Sequence, residues 1–241
     1  VGVAMGNATV CALSTSGSPV CWGYDTSGLL TEPSGVFTSL AMGPYSACAI
    51  KDDESVSCWG FIDGGTPSGP AKKVALVDRL QCVLKTDGTL ACTTNSTRYN
   101  KGVPPSGVFK DFDLSGESGC ALREDNTFAC WGDSQYGQYN TPTGEFTSML
   151  DMKSGGFAAL KSDGSIVRWG NYAGSNLAGP FVTASGFGGA GLCAFTEAGA
   201  MTCSKGSTWS GYNAIMSSQP AGPWYAPSLD TTGNGYCDTP N

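Results

Sequence analysis

The sequence predicts an all-β fold, a six-bladed β-propeller of about 37-residue repeats with an extra C-terminal tail segment. Three observations support this prediction. The 241 residues include 35 glycines and 13 prolines, which leaves little room for long helices. Cysteines recur in pairs ten residues apart, and each pair brackets two apolar alternating runs that are separated by a turn signal.

The cysteine pairs mark the repeats. The first member of each pair is followed ten residues later by the second: Cys11 and Cys21, Cys48 and Cys58, Cys82 and Cys92, Cys120 and Cys130, Cys193 and Cys203. A sixth unit aligns at Ala158 and Arg168, where both cysteines are missing together. Joint loss is what a disulfide inside each repeat predicts, so we expect five local bridges.

The spacing of each pair also predicts the turn. A three-residue hairpin loop, made of a type I turn followed by a left-handed residue, places the two cysteines directly opposite each other. The last loop position then needs a positive φ, which glycine and asparagine adopt most easily. Five of the six residues at this position fit, and Glu54 is the exception: Gly17, Glu54, Gly88, Asn126, Gly164 and Gly199.

A further strand is predicted before each hairpin, because segments such as 35–40, 107–112, 144–149 and 179–184 share a glycine followed two residues later by phenylalanine. Short sheets that bury their faces only against neighbours form a propeller, with a solenoid of stacked β-turns as the alternative. We expect one domain over 1–223, in units of approximately 1–36, 37–72, 73–108, 109–145, 146–180 and 181–223. Residues 224–241 are expected to close the ring, with Cys237 unpaired within the chain.

The repeat resembles the regulator of chromosome condensation repeat. The resemblance rests on segment 144–170, with its Phe-Thr-Ser, Asp-Gly and Trp-Gly elements, and on Trp131-Gly132 followed by Tyr136-Gly137-Gln138-Tyr139. It is closest in style to the shorter, cysteine-bearing form of that repeat in secreted proteins. The resemblance implies a propeller and transmits no activity. Propeller-type β-lactamase inhibitory proteins are similar in repeat style.

Composition excludes several function classes. Net charge is −7 without a basic run, so we expect no nucleic acid and no anionic membrane as partner. The absence of histidine removes the usual catalytic base and zinc ligand, and we expect neither an enzyme nor a cofactor. The glycine motif at 186–191 precedes a strand rather than a helix, which argues against a dinucleotide site. Acidic pairs fall at predicted hairpin tips.

Eleven cysteines predict an oxidising compartment, so the chain is expected to be processed, soluble and secreted. Two sequons place candidate glycosylation at Asn7 and Asn95. A degenerate calcium loop is a weak metal candidate near the C-terminus, with Asp230, Asn234 and Asp238 as oxygen donors. The alternative interpretation of that segment is a glycine-rich tail.

Aromatic residues give the functional hypothesis. Trp22, Trp59, Trp131 and Trp169 share one slot and are predicted to pack between blades. Less regular rings follow that slot, with Asp or Asn nearby, and form the candidate ligand-binding set: Tyr24, Asp25, Phe61, Asp63, Tyr99, Asn100, Asp133, Tyr136, Tyr139, Tyr172, Trp209 and Tyr212. Such residues favour multivalent carbohydrate binding, as in a lectin. The alternatives are an inhibitor that binds a secreted enzyme, and a polysaccharide-active enzyme that uses residues other than histidine.

Overall fold

The computed structural model describes residues 2–25, 27–96, 100–152, 156–170, 175–187 and 191–204. These residues form eighteen strands in six three-stranded antiparallel sheets, each built from consecutive strands. Sheet 1 comprises β1 Val3–Met5, β2 Thr9–Leu13 and β3 Pro19–Gly23; sheet 2 comprises β4 Phe37–Met42, β5 Ser46–Lys51 and β6 Val56–Gly60; sheet 3 comprises β7 Ala71–Val77, β8 Leu80–Lys85 and β9 Leu90–Thr93.

The second half repeats this order. Sheet 4 comprises β10 Asp111–Ser115, β11 Ser118–Leu122 and β12 Phe128–Gly132; sheet 5 comprises β13 Phe146–Leu150, β14 Gly156–Lys161 and β15 Ile166–Gly170; sheet 6 comprises β16 Phe181–Phe187, β17 Gly191–Thr196 and β18 Met201–Ser204. Six such sheets are the blades of a β-propeller, as predicted. The described part of the chain contains no helix with the length and apolarity needed to span a bilayer.

The hairpins follow the predicted geometry. All five cysteine pairs are directly opposed in the register and form disulfides, with Cα atoms 4.0–4.1 Å apart. The last loop residue has a positive φ in all six hairpins, including Glu54 at 66° and Asn126 at 65°. The hairpin geometry therefore holds even where the residue is not glycine.

That left-handed residue also joins one sheet to the next. Its carbonyl accepts a hydrogen bond from the backbone N–H that begins the following unit, as from Phe37 to Gly17, Ala71 to Glu54, and Phe181 to Gly164. At the junction of sheets 4 and 5 the Asn126 side chain takes over, and its Oδ1 accepts from the N–H of Phe146 at 3.0 Å. The turn conformation thus sets the start of the next blade.

Five hydrophobic clusters hold the array, and each bridges two consecutive sheets. The cysteine-bearing face of each sheet packs against the face of the next sheet that carries the tryptophan slot. Trp59, Trp131 and Trp169 are 7%, 5% and 5% exposed, so the predicted inter-blade packing is confirmed for these three.

The same prediction is wrong for Trp22, which is 50% exposed. Sheet 1 has no described sheet before it, so its tryptophan face lacks the cover that the preceding sheet supplies elsewhere. In sheet 3 a polar pair replaces the tryptophan: Gln81 is buried opposite Thr93, and its amide donates to the carbonyl of Asp63 at 2.8 Å.

Side chains tie the first strands of consecutive sheets together along the inner wall of the propeller. Lys73 on β7 pairs with Asp111 on β10 at 2.6 Å, and the other oxygen of Asp111 accepts from the N–H of Met149 on β13 at 2.7 Å. Asp113 repeats this link, accepting from the N–H of Met152 at 3.1 Å. These carboxylates satisfy backbone donors at the inner edge of sheet 5, where no other strand of the described residues pairs with β13.

Asp113 is a buried acid in this wall. Burial raises its pKa to about 8, and the negative charge of Asp151, one repeat further along the chain, contributes in the same direction. The folded chain therefore holds a proton on this group at pH values at which the unfolded chain has released it.

Asp113→Asn should flatten the pH dependence of stability. Because the pKa of Asp113 is raised in the folded state, the wild-type chain should lose stability as pH rises from about 4 to about 8, by an amount on the order of a few kcal/mol. Urea unfolding at pH 5, 7 and 9 measures this loss. Asp151→Asn should make this loss smaller and complete it at lower pH, because without the neighbouring negative charge the pKa of Asp113 falls toward what burial alone produces. An unchanged pH slope in Asp113→Asn would contradict the assignment.

Ala158→Cys with Arg168→Cys should create a sixth disulfide, because these residues are directly opposed in sheet 5, like the natural pairs. The bridge should contribute about 2–3 kcal/mol by restricting the unfolded chain. The double variant also loses the hydrogen bond from Arg168 to Ser204 of sheet 6, so the net gain should be smaller. Non-reducing peptide mapping detects the bridge, with each single variant as control; free thiols in the double variant would show that sheet 5 differs.

Candidate functional site

The two ends of the sheets carry different chemistry. The six hairpin loops lie at one end, which we call the tip face, and the described residues of those loops, within 14–18, 52–55, 86–89, 124–127, 162–165 and 197–199, include no aromatic residue. The turns between first and second strands and the exits of the third strands lie at the other end. We call this end the ring face, because exposed aromatic side chains stand on it: Tyr24, Tyr45, Phe61, Tyr136 and Tyr139.

The tip face consists of solvated turns, as predicted for its acidic pairs. Asp53, Asp87, Asp125 and Asp163 each accept hydrogen bonds from the hydroxyl and the backbone N–H of the residue two positions later. The hydroxyl donors lower the pKa of these four carboxyls, followed by the backbone donors. The carboxylates are committed to their own turns.

Cation–π contacts reinforce the tip end. Lys51 and Lys161 end the second strands of sheets 2 and 5, and Arg123 follows that of sheet 4. Their charged groups lie 5.2–6.0 Å from the ring centres of Phe37, Phe109 and Phe146. These phenylalanines are buried at the starts of their units. The basic side chains therefore pack on the fold instead of forming a free basic patch.

The ring face is held by the backbone. After three of the Trp-Gly pairs, the next residue donates its N–H to a carbonyl in the first turn of the same sheet: Tyr24 to Ala8, Phe61 to Tyr45, and Asp133 to Glu117, at 2.8–3.0 Å. These bonds hold the backbone of Tyr24 and Phe61 in place, while the two residues are 72% and 52% exposed. Rigid, exposed rings lose little entropy on binding.

Most of the polar residues in the predicted ligand-binding set form hydrogen bonds or ion pairs within the chain. Asp25 accepts backbone N–H bonds from Ser27, Gly28, Leu29 and Leu30. Desolvation acts to raise the pKa of Asp25, but these four donors together outweigh it and lower the pKa. The carboxylate therefore shapes its own loop.

Two more predicted polar residues are buried. Asp63 lies 3.8 Å from Arg79 across an ion pair, and Asp133 accepts from the N–H of Gln135 at 3.0 Å. Desolvation raises the pKa of Tyr139, and the negative charge of Asp133 acts in the same direction. The Tyr139 hydroxyl donates to the carbonyl of Gly132 at 3.2 Å. Asn100 is exposed, with a positive φ.

The predicted ligand set therefore divides. Tyr24, Phe61, Tyr136 and Tyr139 stand on the ring face but on three different sheets, so they form a broad surface and not one pocket. Tyr99, Tyr172, Trp209 and Tyr212 lie outside the described residues. So do Cys237 and the calcium candidates Asp230, Asn234 and Asp238. Among the residues that the structure describes, no cluster of three acidic or cysteine side chains is placed to hold a metal ion.

Sequence reasoning missed two members of the ring face. Tyr45 lies in the turn before β5 and is 45% exposed, and Arg79 lies in the turn before β8, 5.5 Å from the centre of the Phe61 ring. The search followed the Trp-Gly slot, whereas these residues precede the hairpins. The hydrogen bond from the Phe61 N–H to the Tyr45 carbonyl brings the exit of β6 next to the turn before β5.

Both sequons begin at exposed asparagines. Asn7 lies in the turn between β1 and β2, and Asn95 follows β9. Thr9, which completes the first sequon, is buried, and its hydroxyl donates to the carbonyl of Tyr24 at 2.9 Å. Exposure of the asparagine amides is compatible with glycosylation at either position, which stays a prediction.

The inner wall is the other place where acids meet. Asp111 and Asp113 both accept backbone bonds from sheet 5, and Lys73 neutralises Asp111. A glycosidase needs two carboxylates that face an open cleft and are free to exchange protons with substrate. Asp113 is 4% exposed, and one of its oxygens is occupied by the chain itself. Asp111 and Asp113 therefore stabilise the fold by accepting these backbone hydrogen bonds.

Solved structures share this architecture. The ectodomain of the receptor kinase CR4 from Physcomitrella patens matches with a TM-score of 0.73 at 22% identity, over 86% of this chain and 61% of that chain. The chain thus spans about three fifths of that ectodomain. The CRINKLY WD40 ectodomain of the Arabidopsis thaliana receptor kinase ACR4 matches with a TM-score of 0.68 at 20% identity, over 86% and 79% of the two chains.

Prp20p from Saccharomyces cerevisiae, the yeast RCC1, matches with a TM-score of 0.70 at 13% identity, over 84% of this chain and 70% of that chain. Prp20p was described with its binding to Gsp1p and histones. No protein-family model and no curated protein sequence matches the chain. At these identities the likeness concerns the fold alone, and it agrees with the β-propeller that the repeats predict.

Proposed function

We propose that the chain is an extracellular protein-binding propeller and that the ring face is its contact surface. The observation that carries the proposal is the segregation of exposed rings: five stand on one end of the sheets, and the hairpin loops at the other end have none among their described residues. Tyrosine, phenylalanine and arginine side chains at the centre of a surface are typical of protein-binding hot spots.

The best-defined patch joins sheets 2 and 3. Phe61 and Tyr45 are half-exposed neighbours, and the Arg79 guanidinium lies over the Phe61 ring while its ion pair to Asp63 is long, at 3.8 Å. The ring orients the guanidinium without consuming its donors, so Arg79 keeps hydrogen-bonding capacity for a partner carboxylate or carbonyl. A second patch comprises Tyr136 and Tyr139 on sheet 4.

Protein partners fit this surface better than sugars do. Sugar binding combines a stacking ring with directional polar groups beside it, and Asp25, Asp63 and Asp133 already serve their own loops. The solved propellers with similar folds include a receptor ectodomain and a protein that binds Gsp1p and histones. Inhibition of a secreted enzyme, one of the sequence-based hypotheses, is a special case of the proposed function; carbohydrate binding stays a prediction.

An extracellular location supports the same proposal. Five disulfides are stable in an oxidising compartment and rare in reducing ones. They also make the scaffold rigid, because each hairpin that supports a ring-face turn is cross-linked. A rigid scaffold with exposed rings is suited to binding with little reorganisation.

The triple variant Tyr45→Ser, Phe61→Ser and Tyr136→Ser should lose binding by on the order of 100-fold or more, since truncating hot-spot rings removes most of an interface's affinity. The matched control is Val36→Ser, Val108→Ser and Val182→Ser, which removes three apolar side chains of similar exposure near the tip face. Both variants are screened against a panel of secreted proteins and a glycan array.

The proposal expects a protein that binds the wild type and the valine control but not the ring variant. Capture of a glycan that depends on the same rings would favour the carbohydrate hypothesis instead. A partner that is lost only by the valine control would place the contact surface on the tip face and refute the assignment.

A further inference from the structure

Sheets 2 to 5 each carry a basic residue at the tip end of the second strand, next to the residue that begins the unit. Where that residue is phenylalanine, the charged group lies over the ring. The lysine methylene carbons also pack beside Gly35, Gly69 and Gly144, 3.0–3.7 Å from the position that a Cβ would take. The basic residues and the residues that begin the units are Lys51 with Phe37, Lys85 with Ala71, Arg123 with Phe109, and Lys161 with Phe146.

Sheet 6 has a threonine at this position. Its unit begins at Phe181, which pairs with Thr196 in the register as Phe146 pairs with Lys161. The Thr196 hydroxyl accepts from the N–H of Ala200 at 3.2 Å, so this side chain is bonded within its own hairpin. No basic side chain among the described residues lies over the Phe181 ring. The start of β16 therefore lacks the cation that accompanies the other units.

A cleft of about 720 Å³ opens at this place, between the hairpins of sheets 5 and 6. Its lining comes from three segments: 162–164 in the sheet 5 hairpin, 180–182 at the start of β16, and 196–198 in the sheet 6 hairpin. The Phe181 ring belongs to this lining. The volume lies in the range that small-molecule sites occupy.

The cleft is acidic. Its described lining contains two exposed carboxylates, Asp163 and Glu197, and no lysine or arginine. Oδ1 of Asp163 accepts both hydrogen bonds from Ser165, and the other oxygen takes no part in them. Lys161, whose charge also acts on Asp163, has its ammonium group 5.9 Å from the centre of the Phe146 ring. An aromatic ring with carboxylates beside it is the chemistry that binds organic cations.

We propose that the cleft between sheets 5 and 6 binds an alkylammonium group of another molecule, in the place that a lysine of the chain itself occupies in sheets 2, 3 and 5. The Asp163 and Glu197 carboxylates balance the charge, and the alkyl chain packs on Phe181. A free amine and the lysine side chain of a peptide both supply this chemistry. The site lies on the tip face, so it is separate from the ring face and does not depend on the function proposed for it.

Titration of the full chain with n-butylammonium chloride, followed by NMR of the backbone amides, tests the proposal. We expect saturable shifts within 162–164, 181–182 and 196–198, with a Kd in the millimolar range, because one charge and a short alkyl chain make few contacts. Sodium chloride at the same ionic strength and the uncharged analogue n-butanol should not produce these shifts. Shifts that do not saturate, or that n-butanol reproduces, would overturn the proposal.

Thr196→Lys is the decisive variant, because it supplies the cation from the chain itself, as in the other sheets. It should weaken butylammonium binding by about 10-fold or more. The matched control is Thr202→Lys, which adds the same charge at an exposed position of sheet 6 outside the cleft lining and should keep the wild-type affinity to within about 2-fold. Equal affinities of the wild type and Thr196→Lys would refute the site.

Glu197→Gln provides a second measurement that leaves the shape of the cleft unchanged. Removing one of the two lining carboxylates should weaken butylammonium binding several-fold, whereas an unchanged affinity would show that the cation does not bind here. The tripeptide Gly-Lys-Gly then distinguishes the two sources of the ammonium group. Tighter binding of the tripeptide than of butylammonium, abolished by Thr196→Lys, supports a site for a lysine side chain, and tighter binding of butylammonium supports a site for a free amine.

Discussion

Every blade of this protein depends on burying two faces of a sheet only three strands wide. Such a sheet has no core of its own, so its side chains leave water only when the next sheet packs on them. The cysteine face of one sheet meets the tryptophan face of the following sheet at the junctions of sheets 1 and 2, 3 and 4, and 4 and 5. At the junction of sheets 2 and 3 it meets the equivalent face, where Gln81 and Thr93 replace the tryptophan. The junction of sheets 5 and 6 keeps the arrangement without cysteines in sheet 5, because Ala158 and Arg168 occupy the two positions.

The same stacking explains why the chemistry is divided between the two ends. Hairpin loops must be short and must place a left-handed residue last, because its carbonyl or side chain aligns the next unit. That requirement favours small and polar residues at the tip face, chiefly Gly, Asp, Ser and Thr. The opposite end carries turns and connections whose length varies among the repeats, so large rings are accommodated there. Folding therefore constrains the residues of the ring face less than those of the other parts of the repeat.

Local features were predictable from the sequence, and non-local ones were not. The hairpins, the five disulfides and the left-handed loop positions follow from a spacing of ten residues, which the chain carries within each repeat. Asp113 and Asp151 come together because equivalent positions of neighbouring sheets meet on the inner wall, and no single repeat shows that contact. Trp22 was predicted to be buried because of its position in the repeat, yet its burial depends on what lies beside sheet 1. Asp25, Asp63 and Asp133 were predicted to face a ligand, and the structure turns them toward their own loops.

The local disulfides have a consequence for how the chain is made. Each bridge joins residues ten positions apart inside one hairpin, so its two thiols meet as soon as about a dozen residues have entered an oxidising compartment. A closed ring of that size forms much faster than one between distant cysteines, which reduces the number of incorrect pairings that an isomerase must correct. Oxidation can therefore proceed repeat by repeat, before any two blades have packed.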